Sequence, residues 1–83
     1  MVSEMIVSER LQSVFREVFD DDMLEVRAET AKKDITGWDS MADIKVILGV
    51  EAEYDVKFMT SEVVRLRSVT DIIDALAKRG VIA

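Results

Sequence analysis

Apolar residues recur along most of this 83-residue chain at helical spacing. In the first stretch Val7, Leu11, Val14, Phe15 and Val18 fall three and four apart, so they share one face of a helix. Glu9, Arg10, Gln12, Arg16 and Glu17 fall on the other faces, which predicts an amphipathic helix from Ser3 to Phe19. Asp20, Asp21 and Asp22 stop it, because carboxylates at a helix C-terminus oppose the dipole. A second helix is predicted from Ser40 to Tyr54, with Met41, Ile44, Ile47, Leu48 and Tyr54 on one broad side and Asp39 or Ser40 as the cap. Gly49 inside it lowers helix propensity by about 1 kcal/mol against Ala, and is either tolerated or a point of close packing. A short third helix is predicted over Ser61 to Leu66, with Thr60 or Ser61 as its cap. The fourth runs from Val69 to Arg79 with Val69, Ile72, Ile73 and Leu76 as its stripe. Thr70 is its candidate cap, Lys78 and Arg79 suit its C-terminal dipole, and Gly80 ends it.

Residues 20–39 break the helical pattern. Leu24, Val26 and Ala28 alternate with Glu25, Arg27 and Glu29 as in a strand, and Val56 and Phe58 offer a second strand to pair with it. Such a pair alone is marginal in water. A long loop in so small a domain is accommodated if Met23, Leu24, Val26 and Ile35 pack onto the helices. The expected fold is therefore all-α, a small four-helix bundle with a long first loop and a short third helix, forming a single domain over residues 1–83.

Composition narrows the chemistry. Pro is absent and Gly scarce, which argues against a turn-rich β domain. Without Cys there are no disulfides or thiolate metal sites, and without His the commonest general base and metal ligand are missing. Asp20-Asp21-Asp22 does not open a calcium loop, because Glu25 stands where Gly is needed and Ala31 where the bidentate Glu belongs. No metal site is expected. A serine hydrolase would need Lys45 as its base, and that residue lies about 140° around the helix from Ser40. A catalyst is not expected. Acidic residues outnumber basic ones by 17 to 11, for a net charge of −6. That repels nucleic acid and anionic membranes and favours basic protein partners, or serves only to keep the protein soluble. The N-terminal MVSEMIVSER lacks the basic start and long apolar run of a signal peptide, and no stretch approaches the roughly 18 apolar residues of a membrane span. The expectation is a cytoplasmic protein.

The informative stretch is Gly37-Trp38-Asp39-Ser40-Met41, where the long loop turns into a helix. A serine hydroxyl there is reachable, and the field of the helix N-terminus favours a negative group such as a phosphodiester. Asp39 could cap the helix or hold a metal of a modifying enzyme. Viewed alone, Asp-Ser before a helix is usually only a cap. Here, however, the helix that follows ends in Glu51-Ala52-Glu53-Tyr54-Asp55-Val56-Lys57-Phe58, and the last helix opens with Ser68-Val69-Thr70-Asp71-Ile72-Ile73-Asp74-Ala75-Leu76.

Over nearly its whole length the chain resembles the acyl carrier protein family, in motif, order of helices and spacing. The resemblance implies a phosphopantetheine arm attached to Ser40 from coenzyme A, Asp39 as its motif neighbour, and a non-catalytic carrier of acyl or aminoacyl thioesters for fatty acid, polyketide or related biosynthesis. It implies a monomer served by a pantetheinyl transferase and acyl-handling enzymes with basic docking surfaces. Asp43, Lys45, Glu51, Glu53 and Asp55 are the candidate docking residues, and their carboxylates are otherwise a solvated face. Ile44, Leu48 and Tyr54 are core positions that in a carrier can part to admit an acyl chain. Trp38 is expected to pack on the core from the loop. Met41 stands where the family has Leu, and Ala42 and Lys45 where fatty-acid carriers tend to have acids, which points to different partners. The Trp before Asp-Ser looks more like stand-alone carriers of specialised pathways. The alternative is a helical protein-interaction domain without a prosthetic group, in which Ser40 only caps.

Overall fold

A computed structural model describes residues 7–81. Among them four α-helices follow in order: α1 (Glu9–Val18), α2 (Ser40–Tyr54), α3 (Thr60–Val63) and α4 (Val69–Ala77). The first helix, expected from Ser3, opens only at Glu9: Val7 and Ser8 are not helical, and residues 3–6 lie outside the described ones. The all-α architecture, long first loop and short third helix match the expectation.

Each helix begins where its chemistry allows. Ser8 caps α1, its hydroxyl accepting the Leu11 N–H at 3.2 Å, and Leu11, Val14 and Phe15 go into the core. Past Phe19, Asp20 takes the left-handed conformation and turns the chain away. Asp39, not Ser40, caps α2, its Oδ1 accepting the Ala42 N–H at 2.9 Å. The cap of α3 is Met59 instead of Thr60 or Ser61: its N–H donates to the Glu62 carboxylate at 2.9 Å. The cap of α4 is Ser68 instead of Thr70. Its hydroxyl accepts the Asp71 N–H while the Asp71 carboxylate accepts the Arg67 N–H at 3.0 Å, so the two ends satisfy each other.

α1 and α2 pack against each other with Gly49 at their contact. A Cβ built there would meet Val14 Cγ1 at 2.9 Å, so of the two readings of this glycine the structure has the close-packing one. The core joins Leu11, Val14 and Phe15 to Val46, Ile47, Val50 and Tyr54 of α2, and to Val69, Ile72, Ala75 and Leu76 of α4.

The first loop holds a single 3-10 turn, Lys32–Asp34. Its strand-like stretch does not pair with Val56 and Phe58. Instead Gln12, which the periodicity placed on a polar face, is buried and clips Val26: its side-chain amide donates to Val26 O and accepts the Val26 N–H, each at 2.8 Å. One glutamine thus replaces a neighbouring strand for this residue. Farther along, the loop is tied to the residues leading into α4. Val69 N–H donates to Thr30 O at 2.8 Å, Thr70 N–H to Ala28 O at 2.9 Å, and Lys32 N–H to Arg67 O at 3.2 Å. Thr70 turns its hydroxyl to Ala28 O, which is why it does not cap. Val26 is buried and Leu24 and Ile35 are partly buried, but Met23 stands 86% exposed and contributes nothing to the core.

Candidate functional site

Ser40 is the first residue of α2 and is exposed. Both residues before it are anchored. Asp39 holds the cap, and its N–H donates at 2.9 Å to the carbonyl of Gly37, which itself stands at φ +91°, a conformation side chains rarely take. Trp38 is buried on the core, as its position suggested, with its ring edge-on to Phe15 (5.3 Å) and Phe19 (6.1 Å). The indole N–H donates to Asp43 Oδ1 at 3.1 Å, and Asp43 Oδ2 pairs with Lys32 Nζ at 3.0 Å. Nothing in the periodicity marks Lys32, a loop residue eight positions before Ser40; only its charge and the turn built around it carry a signal.

The candidate docking residues divide into engaged and presented groups. The Asp43 side chain is only 13% exposed and is held by Trp38 and Lys32, which corrects its expected display on the surface. The Glu51 carboxylate accepts the Phe58 N–H at 2.8 Å and so fastens the turn after α2. Glu53 is bonded by Arg10 at 2.7 Å, and the same guanidinium lies 4.4 Å over the Tyr54 ring. Lys45 and Asp55 are exposed. Asp55 ends α2 at φ +54°, a left-handed cap.

Ile44 and Leu48 are not core. They stand 55% and 58% exposed, and Met41 65%, on the face that runs on from Ser40. Apolar residues occur all round α2, so the pattern does not say which stripe is buried. The buried one is Val46, Ile47, Val50 and Tyr54; at about 100° per residue the other is turned well over a right angle away. Tyr54 is buried as expected, and its hydroxyl finds no hydrogen-bond partner among the described residues.

The side chains present fit a phosphodiester-linked arm. The hydroxyl is exposed, the opening amides of a fifteen-residue helix lie beside it, and the Lys32 cation is bound one turn along. Among the described residues, no group of His, Cys, Asp or Glu could hold a metal ion, and no helix is long and apolar enough to cross a membrane.

No protein-family model matches the sequence. No curated protein matches it either. Among solved structures, the solution structure of a holo acyl carrier protein from Geobacter metallireducens is 37% identical in sequence, with a TM-score of 0.76 over 84% of this chain and 80% of that one. Identity at this level over most of both chains, with this structural agreement, shows that the protein belongs to the acyl carrier protein family.

Proposed function

We propose that Ser40 carries a phosphopantetheine arm drawn from coenzyme A, and that the protein shuttles acyl or aminoacyl groups between biosynthetic enzymes without catalysing a reaction itself. The observation that carries this reading is the placement of Ser40: an exposed hydroxyl at the first position of α2, between an anchored loop and a capped helix. The likeness to a carrier solved in its holo form supports it. The arm supplies a terminal thiol on which cargo rides as a thioester. The chain's own residues do the rest. Asp39 fixes the first turn, and the N-terminal field of α2 favours the negative phosphodiester.

Partner enzymes reach Ser40 across the exposed apolar stripe Met41, Ile44 and Leu48, since apolar patches beside a polar rim mark contact surfaces. At about 100° per residue Lys45, Glu51 and Asp55 flank that stripe, while Glu53 turns to Arg10 of α1 and Asp43 to Trp38 and Lys32. The excess of carboxylates there suits basic partners, among them a pantetheinyl transferase. The test is direct. Incubation with coenzyme A and a broad transferase, followed by digestion and mass mapping, is expected to add one phosphopantetheine to the peptide bearing Ser40 and none to Ser40→Ala. An unmodified wild type, or a modified Ser40→Ala, would remove this function.

A further inference from the structure

Three side chains around Ser40 link the first loop, the first turn of α2 and α1. Lys32 Nζ lies 3.0 Å from Asp43 Oδ2, Asp43 Oδ1 accepts the Trp38 indole N–H at 3.1 Å, and the indole ring packs edge-on against Phe15 and Phe19. Asp43 follows Ser40 by three residues and so stands one helical turn from it, while Trp38 precedes it by two. The hydroxyl is thus bracketed on both sides and left exposed. Each member needs the next. A carboxylate this withdrawn from water needs partners, and each Asp43 oxygen has one. An indole N–H can only donate, so a buried Trp38 without Asp43 would hold an orphan donor.

We propose that Trp38, Asp43 and Lys32 are positioning residues that fix the Ser40 hydroxyl for phosphopantetheine transfer, an inference that rests on Ser40 being the attachment site. In that transfer the bond from Ser40 Oγ to phosphorus forms as the pyrophosphate bond of coenzyme A breaks. The hydroxyl proton passes to a base of the transferase, and adenosine bisphosphate leaves. The attack requires Oγ in line with the departing oxygen, and tethering the chain on both sides of Ser40 limits its wandering. The incoming phosphate also brings negative charge within a turn of Asp43. Lys32 offsets the Asp43 charge at 3.0 Å and removes that repulsion.

The experiment measures transferase kcat and KM for the wild type, Trp38→Phe, Asp43→Ala, Asp43→Asn, Lys32→Gln and the double variant Trp38→Phe/Asp43→Ala. Trp38→Phe and Asp43→Ala are each expected to lower kcat on the order of tenfold with KM unchanged. The double variant is expected to lose no more than either single one, because both break the same bond. Asp43→Asn keeps an acceptor for the indole and is expected to recover most of the kcat lost in Asp43→Ala. Lys32→Gln, a change at a half-exposed loop residue, is expected to slow transfer a few-fold. Trp38 is the chain's one tryptophan, so its side-chain N–H resonance reports the bond without reference to activity. It is expected to shift in Asp43→Ala and to stay in place in Asp43→Asn. If Trp38→Phe fails to fold, the Asp43 and Lys32 variants carry the comparison. Variants that match the wild-type kcat, or that change only KM, overturn the proposal and leave Ser40 as the attachment site. A wild type that takes up no arm removes that attachment reading and the proposal with it.

Discussion

Glu62 does three things with one carboxylate. It accepts the Met59 N–H that opens α3, pairs with Arg79 beyond the end of α4, and through that guanidinium meets the Phe58 ring and the Lys57 carbonyl, 4.8 Å and 3.1 Å from Arg79. The Arg79 guanidinium first, and the Met59 amide second, hold its carboxyl down at about 2, from an ordinary value of 4.5, and Arg79 is raised in turn. A carboxyl depressed by folding stabilises the fold above its unfolded pKa, and that contribution is lost as pH falls through the folded value. The difference in denaturant midpoint between wild type and Glu62→Gln is therefore expected to be full at neutral pH, to shrink below about 4.5 and to close near 2. A constant difference across that range would show that the ion pair adds nothing. This residue was not legible beforehand. Glu62 reads as one acid on a short polar helix, and its partner is seventeen residues on, a relation no local pattern expresses. The helix start at Asp39 and Ser40 was legible because capping depends on neighbours in sequence, an acid directly before the first helical residues.

At the scale of elements, periodicity located the helices well and their buried faces unevenly. α1 and α4 each have one apolar stripe, and Leu11, Val14, Phe15, Val69, Ile72 and Leu76 are buried where the spacing puts them. α2 has two stripes, and only the position of α1 decides between them. Gly49 marks that choice, since it lets α1 approach one side closely. Gly49→Ala gains about 1 kcal/mol of helix propensity but drives a methyl into the stiff, buried Val14. Overpacking of this kind costs about 1–3 kcal/mol, so a net destabilisation of about 1 kcal/mol is expected by denaturant unfolding. In a Val14→Ala background the same change is expected to be neutral or stabilising. If Gly49→Ala stabilises the protein with Val14 intact, the two helices are not in tight contact there. The caps of α3 and α4 show a further limit of local reading. Thr60, Ser61 and Thr70 are all chemically competent, and the choice fell to Met59 and Ser68 because Glu62 and Asp71 reach back from the third helical position.

Beside Ser40 the molecule presents the exposed apolar residues Met41, Ile44 and Leu48 on a chain of net charge −6. Single exposed ion pairs contribute only a few tenths to about 1 kcal/mol, so attraction to a basic enzyme is shared among several, and screening beyond about 8–10 Å weakens it at physiological salt. Modification and cognate-enzyme binding are expected to slow as salt rises. If a cognate enzyme answers the Lys45 cation with an acid, Lys45→Glu is expected to weaken its binding while a generic transferase is unaffected or improved. Rates independent of salt, and unchanged on reversing Glu51 and Glu53 to Lys, would assign recognition to the apolar stripe alone. The first loop was the least legible part of the fold. Its alternation is real, but the groups that satisfy its backbone are the Gln12 side chain and the residues leading into α4, and neither has the look of a strand. That last connection bears on the order in which the protein is made. Ala28 to Lys32 are tied to residues 67–70, so the loop that leads to Ser40 gains this anchor only once those later residues have been made. A nascent chain stopped short of Arg67 would carry Ser40 without that anchor.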